Sequence, residues 1–417
     1  MQKLEVFGAN KLRGTIEISG SKNASLPILA ATLLSNNRIN LYNLPKVRDI
    51  ETMIKLLQTL GSQVKFKRNY LVIDNHKQNK KFASYNLVKT MRAGILVLGP
   101  LLAKFGSAKV SFPGGCAIGT RPIDIHLKAL SKLGVKYKII DGYVHASAPR
   151  GLEGNTIKFS KISVGATENL IIAASLAKGT TILKNCAIEP EIKDLINFLN
   201  KAGCKISYQS NRTIKIIGVY KINEINYRVM FDRIEAGTYL VAAALTEGKI
   251  KIKNVDPIMI KTEIKTLKKI GAKISSSNNE IIIIGKKKIR NLNIKTAPYP
   301  GFPTDLQAQI MVLLCKANKK SEIKENIFEN RFMHVAELNR MGAKIYTKGN
   351  KAIINGGTTF LGAELMATDL RASISLVLAA LNAKGKSVIN RIYHLDRGYE
   401  NIDKKLKKLG AKIKRIN

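Results

Sequence analysis

One short pattern recurs six times along the 417 residues, and it restricts the fold more than any other feature. A helix-forming stretch ends in an apolar residue plus glycine and runs straight into a strand-forming one. The copies are Leu-Gly-Ser-Gln-Val at 60–64, Leu-Gly-Val-Lys-Tyr at 133–137, Ala-Gly-Cys-Lys-Ile at 202–206, Ile-Gly-Ala-Lys-Ile at 270–274, Met-Gly-Ala-Lys-Ile at 341–345 and Leu-Gly-Ala-Lys-Ile at 409–413. Successive glycines lie 73, 69, 68, 71 and 68 residues apart. A fixed period of this kind marks one supersecondary unit packed against copies of itself. The glycine belongs just past a helix C-terminus, where the chain turns through the left-handed region. Upstream in each unit lies a second helix rich in Ala and Leu, as at 24–34, 166–177 and 236–245. A strand and an Asn-containing turn follow it: Leu41-Tyr-Asn-Leu-Pro45, Leu183-Lys-Asn-Cys186 and Ile252-Lys-Asn-Val-Asp-Pro257. With a further strand at 70–74, 213–217 or 280–284, the unit reads helix, strand, helix, strand, strand. Such a unit is too small to cover its own sheet and helix faces, so the copies must pack together.

Six units divide naturally into two lobes of three. Residues 219–230 carry no unit of their own, so lobe I is expected over 21–229 and lobe II over 230–417, with the N-terminal strand in 1–20 completing lobe II. Apolar content of 45% with 24% charged residues is that of an ordinary globular protein. The longest apolar runs, such as 26–34, fall far short of the roughly 20 residues that span a bilayer. Residues 1–20 alternate polar and apolar and lack the apolar stretch of a secretory signal, so a cytoplasmic location is expected.

The net charge of +41 invites a nucleic-acid reading, but its texture argues against one. Only seventeen of the 70 basic residues are arginine; the lysines are spread over the whole chain, and no aromatic residues interleave them as a stacking platform requires. The excess reads as compositional drift, and no nucleic-acid partner is expected. Where lysine is the default cation, an arginine marks a place that needs its planar fork.

The repeats also act as an internal alignment. Cys204 takes the place held elsewhere by Ala272, Ala343 and Ala411, Cys186 that of Leu44 and Val255, and Cys315 lies on the apolar face of 311–315, so all three read as core. With no CxxC pair and no histidine cluster, neither disulfides nor a metal site is expected. Cys116 is different. It sits in Pro-Gly-Gly-Cys-Ala-Ile-Gly-Thr at 113–120, a long insertion where the other units have a short turn, and Arg121 follows it. Glycines free such a loop to move, a guanidinium lowers a thiol pKa, and a broken local rule is where function is expected. The loop reads as a lid carrying a general acid or nucleophile over an anionic substrate.

Each Ala/Leu helix is preceded by polar residues: Ser21-Lys-Asn23, Thr90-Met-Arg92, 163–168, Asp232-Arg233, Thr304-Asp305 and Thr368-Asp-Leu-Arg371. The Ser, Thr and Asp residues suit N-caps. Within a lobe the helix N-termini point the same way and form an anion-binding surface. Lys22 and Arg371 fit the capping role poorly, because a cation in the first turn opposes the helix dipole and needs an anion beside it.

Five segments, Gly20-Ser-Lys-Asn-Ala24, the 113–122 loop, Asp232-Arg-Ile-Glu-Ala-Gly237, Pro303-Thr-Asp-Leu-Gln307 and Asp369-Leu-Arg-Ala-Ser373, resemble in order the motifs of the enolpyruvyl transferases, and the resemblance spans the whole chain. It implies an α/β fold of two lobes, each a pseudo-threefold inside-out α/β barrel of three repeats, with the active site in the cleft between them. It implies transfer of the enolpyruvyl group of phosphoenolpyruvate to the 3′-hydroxyl of UDP-N-acetylglucosamine, the first committed step of peptidoglycan synthesis, by a monomer without cofactor or metal. The roles it implies are Cys116 as the acid toward C3 of phosphoenolpyruvate, with a possible covalent adduct on its sulfur and sensitivity to fosfomycin, and Asp305 as the base near the sugar hydroxyl. Lys22, Asn23, Arg121 and Arg397 would hold phosphoenolpyruvate, with Lys22 and Arg397 also catalytic. Asn23, Arg92, Arg121, Pro122, Ile123, Asp124, Ile125, Lys161, Ile162, Ser163, Val164, Asp305 and Ile327 would contact the UDP-sugar, and Arg331, Asp369 and Arg371 would line the site. The sister activity, 5-enolpyruvylshikimate-3-phosphate synthase, lacks a cysteine lid of this type, so Cys116 separates the two.

Overall fold

A computed structural model describes residues 2–114 and 123–417. They divide into two compact units: residues 20–114 with 123–230, and residues 2–19 with 231–417. Each unit contains three four-stranded sheets built to one plan, a parallel first pair followed by two antiparallel pairings. Along the strands burial alternates, as in Thr180–Lys184 and Lys249–Lys253, so one sheet face meets the core and the other meets water.

The two helices of each repeat differ in a way that fixes the layers. Arg48–Thr59 buries Ile50, Met53, Ile54 and Leu57, a stripe at helical spacing. Arg233–Leu245 is buried at all thirteen positions and Gln307–Cys315 at all nine. A helix that is apolar all round belongs in the interior. In one unit the interior helices are Lys22–Ala31, Leu98–Phe105 and Val164–Ala174; in the other they are Arg233–Leu245, Gln307–Cys315 and Leu370–Asn382. They pack on one another with the sheets outside, an inside-out α/β barrel in each unit.

The repeated glycines Gly61, Gly134, Gly203, Gly271, Gly342 and Gly410 have φ between 94° and 120°, each at the end of the outer helix of its repeat. At Gly410 a Cβ would meet nothing within 4 Å, so the requirement there is purely conformational.

The turn asparagines have a structural role that the sequence did not disclose. Asn43, Asn185 and Asn254 take φ of 64°, 60° and 60°. Their amides donate to Val229 O at 2.9 Å, Phe159 O at 3.0 Å and Ile18 O at 2.8 Å. Each stitches the end of the second strand to the chain leaving the parallel first strand. Asn326 makes the same bond to Thr296 O, while Asn390, the last residue of its strand, donates to Leu365 O within the parallel first strand. The second repeat has Phe112 in this slot, and from there the chain enters the 113–122 loop.

The N-terminal segment forms two strands where the sequence suggested one. Lys3–Phe7 fills a third-strand slot between Lys386–Asn390 and Lys412–Ile416, and Arg13–Glu17 runs parallel to Lys249–Lys253 as a first strand. Ile225–Arg228 does the same for Arg38–Tyr42. The loop at 8–12 is long enough to carry the chain from one sheet to the next, which a single strand reading overlooks. No helix of the described residues is long and apolar enough to cross a membrane.

Candidate active site

In the unit that includes 231–417, Asp305 is the centre of a charged cluster. It lies in the turn Thr304–Leu306 that opens the interior helix Gln307–Cys315. Arg331 donates from Nη2 to Asp305 Oδ1 and Arg371 from Nη2 to Oδ2, each at 2.8 Å. Both arginines are 5% exposed while the carboxylate keeps 26%. Two buried cations therefore fix an acid that still reaches solvent. Burying a guanidinium is unfavourable without such a partner; burial pulls the Arg371 pKa down, but Asp305, Tyr399 and Asp232 together more than offset it and the pKa is raised. Tyr399 accepts a further bond from Arg371 Nη1 at 3.3 Å.

Asp369 is the N-cap of Leu370–Asn382, accepting from the amides of Arg371 and Ala372, and it also acts electrostatically on His334 and His394. His334 is 1% exposed; burial, aided by Arg331, brings its pKa down to about 4, so the ring is neutral. Arg397 closes the short helix Ile392–Arg397 beside His394 and lowers the His394 pKa in addition to burial. Ile327 joins the cluster through a different device. Its amide donates to Oε1 of Glu325 at 2.8 Å, and that buried carboxylate also receives Thr296 Oγ1 at 2.8 Å and Thr304 Oγ1 at 2.9 Å. Glu325 thus ties Ile327 to the turn that carries Asp305.

In the other unit, Lys22 and Asn23 are the first two residues of Lys22–Ala31, capped by Ser21. Lys22 Nζ is 3.3 Å from Asp49 Oδ2, with both side chains largely buried. Arg92 opens a short helix, Ile123 caps the helix in which Asp124 and Ile125 come first, and Lys161 and Ile162 lead to the N-cap Ser163 and to Val164. Arg92 and Asp124 both act on His126, which is 5% exposed and whose pKa falls to about 4, mainly by burial. Asn169 Nδ2 lies 3.1 Å from His126 Nδ1. Nδ1 accepts, which assigns the proton of the neutral ring to Nε2. Gly165 makes room for this ring, since a Cβ there would stand 3.3 Å from it. Cys116, Arg121 and Pro122 lie outside the described residues.

Ser21, Ser163, Asp232 and Asp369 are N-caps in fact. The anions that Lys22 and Arg371 need beside them are carboxylates of the chain itself, Asp49 and Asp305. Asp49, Glu325, Tyr399 and Gln309 escaped the sequence reading, and none of them stands in a repeated or motif position that would have marked it.

The remaining thiols are removed from chemistry. Cys186, Cys204 and Cys315 are buried, and burial pushes them up to about 12, 11 and 12.

The sequence model of the family described as EPSP synthase (3-phosphoshikimate 1-carboxyvinyltransferase) matches residues 6–406. The chain belongs to this family, the enolpyruvyl transferases. Among curated relatives, it is 74% identical over 417 residues, the whole of both chains, to the UDP-N-acetylglucosamine 1-carboxyvinyltransferase of Pelagibacter ubique (strain HTCC1062). It is 51% identical over 416 residues, again the whole of both, to the enzyme of the same name from Geotalea uraniireducens (strain Rf4). Among solved structures, the enolpyruvyl transferase NikO from Streptomyces tendae superposes with a TM-score of 0.91 over 99% of this chain and 98% of that one, at 23% identity. EPSP synthase from Acinetobacter baumannii gives 0.77 over the whole of both chains at 17% identity. At those identities the likeness is one of fold, and the fold is that of an enolpyruvyl transferase.

Proposed function

We propose that this chain transfers the enolpyruvyl group of phosphoenolpyruvate to the 3′-hydroxyl of UDP-N-acetylglucosamine and releases phosphate, the first committed step of peptidoglycan synthesis. The observation that carries this is the 74% identity, end to end, to a UDP-N-acetylglucosamine 1-carboxyvinyltransferase. Both substrates are small polyanions, and the helix N-termini with Arg92 and Arg397 suit them.

The chemistry is an addition followed by an elimination. The sugar oxygen bonds to C2 of phosphoenolpyruvate, its proton goes to a base, and an acid delivers a proton to C3. A proton then leaves C3 and the C2–O bond to phosphate breaks, which restores the double bond. Only protons and one group move, so this reading uses no cofactor. Asp305 is proposed as the base for the 3′-hydroxyl: it is held between Arg331 and Arg371, yet part-exposed. Cys116 is proposed as the acid at C3 and as the sulfur able to form an adduct there. Lys22, Asn23, Arg121 and Arg397 are assigned to the phosphate and carboxylate of phosphoenolpyruvate, whose charge they would stabilise as it shifts. The UDP-sugar is assigned to Asn23, Arg92, 121–125, 161–164, Asp305 and Ile327, with Arg331, Asp369 and Arg371 lining the site. The neutral His126 leaves Nε2–H as an uncharged donor beside Arg92. The enzyme is proposed to work as a monomer in the cytoplasm.

The test is phosphate release from phosphoenolpyruvate with UDP-N-acetylglucosamine or shikimate 3-phosphate as acceptor. Release with the first alone is expected, and release with shikimate 3-phosphate alone would overturn the reading.

A further inference from the structure

Behind the Asp305 cluster lies a buried polar chain whose donors and acceptors can be assigned one by one. Thr238 Oγ1 donates to Ile234 O at 2.8 Å within its own helix, so its lone pairs must accept. Tyr399 OH, 2.9 Å away, is therefore the donor in that pair. With its proton committed to Thr238, the phenol oxygen accepts from Arg371 Nη1 at 3.3 Å and from Gln309 Nε2 at 3.3 Å. The other hydrogen of Gln309 Nε2 goes to the backbone carbonyl of Asp305 at 3.0 Å. Tyr399 is 2% exposed. Burial raises its pKa, which keeps the phenol neutral and able both to donate and to accept.

We propose that Tyr399 is a positioning residue for Asp305: its phenol oxygen orients the Arg371 guanidinium toward the carboxylate and the Gln309 amide toward the backbone carbonyl. A guanidinium is planar, so fixing Nη1 fixes where Nη2 points, and Nη2 is the group 2.8 Å from Asp305 Oδ2. Gln309 holds the turn of Asp305 from the main-chain side. One phenol thus sets both ends of the residue, and it joins groups from three helices, Arg233–Leu245, Gln307–Cys315 and Leu370–Asn382. Phenylalanine in its place would keep the packing but leave a buried Arg371 N–H without its acceptor, and Gln309 Nε2 with only Thr238 Oγ1, 3.4 Å away, beside the carbonyl of Asp305. Arg371 would then be free to turn away from Asp305, and Gln309 would be held less firmly. The inference rests on Asp305 being the base for the sugar hydroxyl.

The experiment is Tyr399→Phe in the full chain, alone and combined with Asp305→Asn. Turnover is followed by product mass so that slow variants are measurable, and thermal unfolding is recorded alongside. The single variant is expected to lose about 10-fold in kcat, the scale of one hydrogen bond to a charged group. KM for phosphoenolpyruvate should stay unchanged and unfolding should stay cooperative. In the Asp305→Asn background the same change is expected to have no further effect, because the group it positions is gone. Wild-type kcat in Tyr399→Phe, or an undiminished 10-fold loss on top of Asp305→Asn, would overturn the proposal. Wild-type turnover in Asp305→Asn would instead remove the assignment of the base, a separate failure. Should Tyr399→Phe not fold, Thr238→Val removes the acceptor of the phenol proton and is expected to lower kcat about 3-fold, again only where Asp305 is intact.

Discussion

Replacing Glu325 tests how the site is tied to its scaffold. The residue is 2% exposed, and its carboxylate accepts four bonds: Thr296 Oγ1 at 2.8 Å, Ile327 N at 2.8 Å, Thr304 Oγ1 at 2.9 Å and Phe328 N at 3.3 Å. In Glu325→Ala the two hydroxyls can rotate to other acceptors, but the two amides cannot. A buried donor left without a partner costs about 1–3 kcal/mol, so with the weakened hydroxyl bonds the loss should be about 3–5 kcal/mol, large for one substitution. Glu325→Gln keeps one carbonyl oxygen for Ile327 and Thr296, and its amide can donate to Thr304, whose hydroxyl reverses. About 1 kcal/mol is expected there. Urea unfolding at pH 7 gives both numbers, and KM for UDP-N-acetylglucosamine gives the functional consequence, since the alanine variant releases Ile327. The expected order is wild type, Gln, then Ala, with KM raised chiefly in Ala. Equal loss in the two variants, or an alanine variant within 1 kcal/mol of wild type, would show that the 325–328 turn supports itself and that the bonding argument is wrong.

Three further outcomes follow from other parts of the molecule. With fosfomycin, an epoxide mimic of phosphoenolpyruvate, peptide mapping should find the label on Cys116 alone, because burial suppresses the thiolate of Cys186, Cys204 and Cys315; label on any of these three refutes their assignment as core. Asn254→Ala should destabilise by about 2 kcal/mol, through the lost bond to Ile18 O and the positive φ, and Asn254→Gly by about half as much; equal effects would mean that the backbone conformation contributes nothing. Burial raises the Asp194 pKa to about 6 against Tyr227 and Met230, which both donate to it. The folded state then holds a proton that the unfolded state gives up near pH 4, so this contribution is present at low pH and fades as pH rises through 6. Relative to Asp194→Asn, the wild type should gain about 1 kcal/mol between pH 7 and pH 5; a difference independent of pH would place the native pKa near its ordinary value.

The repeat was legible because its signals are local. A glycine after a helix and an asparagine in a turn each answer to the φ of their own residue, so the six copies could be read off in sequence. What the asparagines bond to was not legible, because Asn254 and Ile18 are 236 residues apart. The two N-terminal strands were missed for the same reason, since each takes its meaning from a sheet formed at the far end of the chain. The site divides along the same line. Motif resemblance singled out Asp305, Arg331 and Arg371 one at a time, but that the two arginines converge on one carboxylate is a relation across 26 and 66 residues. Asp49 does its work through such a relation, and Glu325 reaches the Asp305 turn only through one, its bond to Thr304.

The interior helices add a point that bears on why one unit serves both structure and site. Asn169 and Thr238 stand at the same place, five residues into Val164–Ala174 and Arg233–Leu245, and both are buried where an apolar residue would pack. Asn169 accepts from Gly99 N at 2.9 Å and donates to Ile95 O at 3.3 Å, holding the neighbouring interior helix, and its amide fixes the tautomer of His126. Thr238 receives the phenol of Tyr399, which orients Arg371. Buried polar groups are for the most part hydrogen-bonded, and the bonds these two residues make commit their neighbours to one geometry. In each unit that geometry ends on a proposed site residue, through His126 beside Arg92 in one and through Arg371 on Asp305 in the other. The polar position inside the barrel is therefore the part of the repeat that converts packing into placement of charge.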